Sequence, residues 1–97
     1  MNAKIEIIGG PNDGEEFVLT KTGAIGRDRL SEVYVPGDRY ISKKHALLRF
    51  EKDGVKIDDL GSTNGTFIDD EPVKEPTLLQ NGQLFKVGRT LLKIEIS

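Results

Sequence analysis

Gly61-Ser62-Thr63-Asn64-Gly65-Thr66 is the stretch that decides how this chain is interpreted. It combines turn-forming residues, short hydroxyls and one amide, and it lies between two runs with strand-like alternation. Such a turn exposes backbone N–H groups and short polar side chains, which are the components of an anion-binding concavity. Asn64-Gly65 also has a simpler explanation, because Asn-Gly is a strong signal for a tight hairpin. The stretch therefore predicts either an anion-binding loop or a β-hairpin.

Short runs in which apolar and polar residues alternate extend in both directions from this stretch. The apolar positions of the clearest runs are Ile5 and Ile7, Phe17 and Leu19, Ala46, Leu48 and Phe50, Val55 and Ile57, and Leu92, Ile94 and Ile96. Shorter candidates lie at Ala24-Ile25, Val33 to Val35, Phe67-Ile68, Val73, and Leu84 to Val87. A period of two with Gly, Pro, Asn and Asp between the runs is the signal of short strands. This pattern predicts an all-β sandwich or barrel with mainly antiparallel strands.

Length and composition indicate one globular domain spanning residues 1–97. The chain is 36% hydrophobic and 31% charged, carries a net charge of −2, and has no cysteine. Disulfides and thiolate metal sites are therefore excluded, and we expect no metal or other cofactor. The charge argues against a nucleic-acid partner, and no apolar run approaches the ~20 residues of a membrane span. The N-terminus has no apolar leader, so a cytoplasmic location is predicted.

Positive charge is concentrated in one window of this acidic chain. Between Arg27 and Lys44 there are five basic residues and three acidic ones, which is a local excess of two positive charges. One explanation is a solvated face, and the other is an electropositive patch for a small anionic target. Unusual polar residues lie in three predicted loops: Arg27 to Glu32, Gly37 to His45, and Gly61 to Thr66.

Five residues of these loops have the chemistry of a phosphate and peptide site. Arg27 offers a planar fork that can grip two phosphate oxygens. Ser42 and Thr63 offer short hydroxyl donors, and Lys43 offers a second positive charge. Asn64 carries both a carbonyl and an NH₂ group, which suits hydrogen bonding to an extended peptide backbone. Each residue alone has an ordinary alternative as a surface or turn residue.

His45 is the single histidine and lies three residues after Ser42. A hydrolase would pair these two side chains and use Asp58 or Asp59 to orient the ring. No G-x-S-x-G elbow is present, and Ser-x-x-His at a strand entry does not place the hydroxyl on the imidazole. We therefore expect a structural histidine that fixes the neighbouring loop, and no enzymatic activity.

The ordered set of these residues resembles the forkhead-associated domain, and its details are similar to bacterial members. The matching pattern is Gly26-Arg27, then Ser42-x-x-His45-Ala46, then the run from Asp59 to Phe67. The resemblance extends over nearly the whole chain and implies a two-sheet β-sandwich of about eleven short strands, with the ligand held by loops at one end.

The resemblance also implies a function, which is the binding of phosphothreonine-containing proteins or peptides in Ser/Thr kinase signalling. It assigns phosphate binding to Arg27, Ser42, Lys43 and Thr63, peptide-backbone binding to Asn64, and loop structuring to Gly26, His45 and Gly65. A small pocket for the γ-methyl group would select threonine over serine. The alternative is an assembly scaffold of the same fold that binds no phosphate, but such members tend to lack the Arg or Ser ligands.

Overall fold

The period-two alternation forms eleven β-strands and no helix in the computed structural model, which describes residues 1–97. In chain order the strands are β1 (Ala3–Ile8), β2 (Glu16–Leu19), β3 (Gly23–Gly26), β4 (Val33–Tyr34), β5 (Ala46–Glu51), β6 (Gly54–Asp59), β7 (Thr66–Ile68), β8 (Glu71–Pro72), β9 (Thr77–Leu78), β10 (Leu84–Val87) and β11 (Thr90–Ile96). None of these elements is a helix that could cross a membrane.

The strands form two sheets, which confirms the predicted sandwich. One sheet has six strands in the order β2-β1-β11-β10-β7-β8, and the other has five in the order β4-β3-β5-β6-β9. Neighbouring strands are antiparallel except for β3 and β4, where Ile25 pairs with Val33 in a parallel ladder. The expectation of mainly antiparallel pairing is therefore also confirmed.

The core is built from the alternate apolar positions of both sheets, as period-two patterning requires. Its 17 buried hydrophobic residues include Ile5 and Ile7 of β1, Val55 and Ile57 of β6, and Phe85 of β10. Ile41 and Leu79 are also fully or almost fully buried, although both lie outside the strands. Because they stand in loops without alternation, the sequence pattern does not reveal them as core residues.

The short edge strands differ most from the sequence-based expectation. The sequence pattern does not predict β9, because its two residues, Thr77 and Leu78, are both exposed and show no alternation. The strand expected around Val73 is formed by Glu71 and Pro72 instead. Val73 continues this edge with one hydrogen bond, donated by its N–H to the Thr66 carbonyl at 2.8 Å.

The hairpin interpretation of Asn64-Gly65 is wrong. The segment connects β6 to β7, and these strands belong to different sheets. A tight type I′ hairpin needs positive φ at both central residues, but of this pair only Gly65 has it, at 88°. The hairpin that does meet this requirement is Asp69-Asp70, with φ of 50° and 64° between the paired residues of β7 and β8.

Candidate functional site

Three loops meet at one end of the sandwich. We call them by their flanking strands: the β3–β4 loop (residues 27–32), the β4–β5 loop (residues 35–45) and the β6–β7 loop (residues 60–65). The Arg27 N–H donates to the Ser42 carbonyl at 3.1 Å, and the Thr63 N–H donates to the Ser42 Oγ at 3.2 Å. The Asn64 Nδ2 donates to the Tyr40 carbonyl at 2.8 Å. The loops that are separate in sequence therefore form one surface.

Arg27 is an exposed residue of this surface. Its Nε donates to the carbonyl of Ile41, which fixes the side chain while leaving both Nη groups without a protein partner. The preceding Gly26 makes this position possible. A Cβ atom at residue 26 would lie 1.9 Å from the carbonyl oxygen of Lys43, so any larger residue would push the two loops apart.

Further hydrogen-bond donors surround Arg27. The Ser42 Oγ accepts from the Thr63 N–H, so its own proton is free for another acceptor. The Thr63 hydroxyl is exposed and has no hydrogen bond within the protein. Neither Lys43 nor Arg27 takes part in an ion pair. The surface therefore combines two positive charges that lack an ion-pair partner with two hydroxyls that can still donate a hydrogen bond.

His45 lies fully buried beneath the loops. Its Nδ1 accepts from the Ser42 backbone N–H at 3.0 Å, so the ring proton is on Nε2, which donates to the Gly65 carbonyl at 2.8 Å. The His45 N–H also donates to the Ile25 carbonyl at 2.9 Å. With both ring nitrogens engaged, neither can take a proton from the Ser42 hydroxyl, so the Ser–His pairing of the hydrolase alternative is absent.

Asp59 organises the β6–β7 loop, and sequence reasoning gave it no such role. Its Oδ2 accepts from the N–H groups of Gly61 at 3.1 Å and Ser62 at 3.0 Å. Its Oδ1 accepts from the hydroxyls of Ser62 at 2.6 Å and Thr66 at 2.7 Å. The sequence signal for this role is the position of Asp59 two residues before Gly61. An Asp side chain commonly accepts a hydrogen bond from the backbone N–H two residues later.

The pKa of Asp59 reflects this environment. Partial burial alone would raise the pKa of Asp59, but the hydrogen bonds from Ser62 and Thr66 lower it below its ordinary value. Asp59 is therefore a carboxylate at neutral pH, with its oxygens occupied by the loop.

Asn64 stands at the rim of the surface. One amide hydrogen is used by the Tyr40 carbonyl, while Oδ1 has no partner and is free to accept from the backbone of a bound peptide. The next residue, Gly65, adopts φ of 88° and donates its N–H to the Ser62 Oγ at 2.9 Å. No group of three or more His, Asp or Glu side chains within residues 1–97 could hold a metal ion.

Fold and site together define a class: a two-sheet β-sandwich with a cationic surface built from three loops at one end. The model of the FHA domain family matches residues 23–88. The chain belongs to the forkhead-associated (FHA) domain family, which confirms the resemblance noted from the motifs.

Known bacterial proteins resemble this chain. An oxoglutarate dehydrogenase inhibitor of Corynebacterium jeikeium is 37% identical over 82% of this chain and 55% of its own length. The glycogen accumulation regulator GarA of Mycolicibacterium smegmatis is 36% identical over 82% of this chain and 50% of its own length. The chain thus spans about half the length of these relatives. The crystal structure of the FHA domain of the CT664 protein from Chlamydia trachomatis has a TM-score of 0.87 at 28% identity, covering 100% of this chain and 99% of that one.

Proposed function

We propose that this FHA domain binds proteins and peptides phosphorylated on threonine, in Ser/Thr kinase signalling. The observation that carries the proposal is the group of hydrogen-bond donors without a protein partner where the loops meet. The most important of these are the Nη groups of Arg27. FHA domains are among the modules that read phosphorylated motifs with arginine. A pair of guanidinium N–H groups matches two oxygens of one phosphoryl group.

We assign each predicted site residue a role in this complex. Arg27 and Ser42 bind the phosphate, with help from Lys43 and Thr63, and the free Oδ1 of Asn64 accepts from the peptide backbone. The remaining three residues position the loops: Gly26 by allowing close approach, His45 by its two ring hydrogen bonds, and Gly65 by its positive φ and its contact with His45.

The energetics support a reversible contact. A phosphothreonine carries about −1.5 to −2 charges at neutral pH. Charge-assisted hydrogen bonds contribute about 1.5–3 kcal/mol each. Three or four of them, less the cost of association, correspond to a dissociation constant of about micromolar. An Asp or Glu in place of phosphothreonine is a poor mimic, because it has less charge and a planar head group.

We further propose that residues 1–97 act as one binding domain without catalysis. A single core shared by both sheets and the engaged ring of His45 support this. The names of the relatives describe regulators, and regulation through a phosphorylated partner is the role we extend to this chain. We propose a cytoplasmic location as well, because the kinases that would phosphorylate the partner depend on ATP.

An oriented peptide library tests the proposal. Peptides with phosphothreonine, phosphoserine or unphosphorylated threonine at the fixed position are compared on the immobilised domain. We expect retention of phosphothreonine peptides, weaker retention of phosphoserine peptides, and none of the unphosphorylated set. Equal retention of phosphorylated and unphosphorylated peptides would support the scaffold alternative instead.

A further inference from the structure

One side of the six-stranded sheet faces away from the core, and part of it is apolar. Ile8 of β1, Leu91 of β11, Lys86 of β10 and Phe67 of β7 follow one another in a row of paired residues across this outer face. Leu84, two residues before Lys86 on β10, lies on the same side. We call these five residues the outer patch. Because outward positions of a sandwich are normally polar, the fold alone does not explain four apolar side chains here.

The apolar side chains of the outer patch are not part of the core. None of them belongs to the buried cluster or packs against it. Leu84 is 45% exposed and Ile8 is 37% exposed, while Phe67 and Leu91 are half-buried. Leu84, Leu91 and Phe67 also line a cleft of about 190 Å³. A contiguous exposed apolar surface with a cleft in it is typical of a site that contacts another protein.

The charges at the outer patch are unpaired. The Lys86 Nζ lies 5.1 Å from the centroid of the Phe67 ring, a cation–π distance, and forms no ion pair. Asp69 and Asp70, in the turn between β7 and β8, line the same cleft and form no ion pair either. The patch thus presents one free cation beside two free carboxylates.

The remainder of the outer face differs, because its charges pair with one another. The Lys4 Nζ lies 3.7 Å from a carboxylate oxygen of Glu16 and 3.7 Å from one of Glu95, and the Lys93 Nζ lies 3.9 Å from Glu95. Val18 of β2, which is 67% exposed, lies among these charges opposite Lys4. The unpaired charges and the cleft therefore coincide at the outer patch.

A twofold axis makes the outer patch complementary to a second copy of itself. In an isologous interface, a contact between two different residues occurs twice, once in each direction. Lys86 of one copy then pairs with Asp69 and Asp70 of the other, two times per dimer, while Leu84 and Phe67 pack at the centre. A purely acidic or purely basic partner would leave one sign of charge on the patch unpaired.

The dimensions of the molecule are compatible with a weak dimer. The molecule measures 33 × 26 × 24 Å. A standard interface buries about 800 Å² on each partner, which is roughly one whole face of a body of this size. The outer patch occupies part of a face, so its contact area is at the small end, where association is transient. We expect a dissociation constant on the order of 10–100 µM.

We propose that this domain forms a twofold-symmetric dimer through the outer patch, with Lys86 of each copy paired to Asp69 and Asp70 of the other. The proposed phosphate ligands lie in loops outside the six-stranded sheet, so both phosphate sites stay open. The dimer itself does not depend on the proposed function, but its use does. Two phosphothreonine sites in one particle bind a doubly phosphorylated partner more tightly than either site alone.

Analytical ultracentrifugation of the unmodified chain tests the dimer. Between about 5 µM and about 500 µM, the weight-average mass should rise from near 10.7 kDa toward twice that value. Leu84→Ser should weaken the dimer by about tenfold, because it removes an exposed apolar side chain from the contact. Val18→Ser is the matched control: it removes a more exposed apolar side chain from the charged part of the same face, and the dimer should not change.

A mixing experiment tests the charge pairing. Asp69→Asn with Asp70→Gly removes both carboxylates and keeps the turn, because Asn-Gly is the preferred pair for a type I′ hairpin. Lys86→Glu places a third acid against the carboxylates of the other copy. Each variant alone should dimerise more weakly than the wild type. An equimolar mixture should form a mixed dimer several-fold tighter than either, since it recovers one pairing of Lys86 with the two aspartates.

Each outcome supports or overturns the dimer. A chain that stays monomeric at the highest concentration would overturn it, and so would a wild-type dimer that Leu84→Ser and Lys86→Glu do not weaken. A mixture no tighter than its components would overturn the charge pairing that defines the twofold arrangement. Failure of phosphothreonine peptides to bind would overturn the proposed function and leave the dimer standing.

Discussion

Asp59 is the residue on which the β6–β7 loop depends most. Four donors from three residues converge on its two oxygens, and two of these donors are backbone N–H groups of the loop itself. An acceptor that serves four donors cannot be replaced by a group that also donates. The carboxylate therefore fixes the positions of Thr63 and Asn64 without being part of the exposed surface.

We expect Asp59→Asn to destabilise the fold by about 1–3 kcal/mol, because the amide NH₂ leaves donors of the loop unpaired. Phosphopeptide affinity should fall with it, since the loop carries Thr63 and Asn64. Urea unfolding at neutral pH measures the first effect and calorimetry the second. If the Asp59→Asn variant unfolds and binds as the wild type does, the loop holds its shape without the carboxylate.

Stability should also depend on pH through Asp59 and Asp38. Burial would raise the pKa of each, but hydrogen bonds, led by Ser62 for Asp59 and Thr90 for Asp38, lower both below 3.8. A lowered folded pKa contributes stability that is complete above the unfolded pKa and is lost as the pH falls through the folded one. Urea midpoints should therefore drop below about pH 4, and less steeply for Asp59→Asn.

Gly26 is a second residue whose role is steric. We expect Gly26→Ala to destabilise the fold by about 1–3 kcal/mol and to weaken phosphopeptide binding, because the new methyl group overlaps the Lys43 carbonyl. Gly82→Ala is the control. It adds a methyl group in open space and costs about 1–2 kcal/mol for its φ of 84°, and binding should not change. Thermal unfolding measures the stability of both variants, and calorimetry measures their phosphopeptide affinity. If Gly26→Ala binds the peptide as tightly as Gly82→Ala does, the steric argument is wrong.

Residues that alternate could be predicted from the sequence, and residues that act through contacts could not. Ile5, Ile7, Val55 and Ile57 are buried as the period of two requires. Asp59 follows a second aspartate, Asp58, and the sequence does not distinguish the two. Its importance depends on which donors the folded loop turns towards it, and this is not encoded in periodicity.

At the scale of elements, His45 joins the β4–β5 loop, the β6–β7 loop and the end of β3. Its ring joins the β4–β5 loop to the β6–β7 loop, and its backbone joins both to the end of β3. Since the ring is buried, removing it leaves two polar groups unpaired and a cavity.

We expect His45→Ala to cost about 2–4 kcal/mol of stability and to weaken binding only through the disturbed loops. Asn64→Ala is the contrasting variant. This variant loses the hydrogen bond to the Tyr40 carbonyl, so its free energy of unfolding should fall by about 0.5–1.5 kcal/mol. Its free energy of peptide binding should fall by a larger fraction. Urea unfolding paired with calorimetry separates the two effects. If His45→Ala unfolds at the urea concentration of the wild type, the ring does not hold the loops.

The elements also show where local patterns mislead. Asn64-Gly65 has the sequence of a tight hairpin, yet it lies in a connection between sheets, because β6 pairs with β5 and β9 while β7 pairs with β10 and β8. Local propensity describes a turn and cannot say which strand its far side joins. The longer strands were predictable because each buries a full apolar face, whereas β9 buries none.

At the scale of the whole molecule, positive charge is concentrated at the loop end of an acidic protein. The net charge is −2, but the loop end carries Arg27, Lys43, Arg39 and Arg89 without acidic partners. An acidic protein with one cationic end attracts a small anionic group to that end. It has no extended basic surface along which a polyanion could bind. The two ends of the chain meet elsewhere: Asn2 and Ser97 pair at the far end of β1 and β11.

Binding should therefore weaken with salt. The screening length falls from about 10 Å at 0.1 M to about 3 Å at 1 M ionic strength, so phosphopeptide affinity should decrease several-fold over this range. Fluorescence anisotropy with a labelled phosphothreonine peptide at increasing NaCl measures the effect. A dissociation constant that does not change with salt would be incompatible with recognition through the charges of Arg27 and the phosphate.

The most direct test of the central claim is a titration of the ¹⁵N-labelled domain with one phosphothreonine peptide and its unphosphorylated twin, followed by amide chemical shifts. We predict that the phosphorylated peptide shifts the amides of Arg27, Ser42, Thr63 and Asn64 most, with a dissociation constant of about micromolar, and that the twin leaves them unchanged. Shifts centred on another surface, or equal shifts with both peptides, would contradict phosphothreonine recognition at these loops.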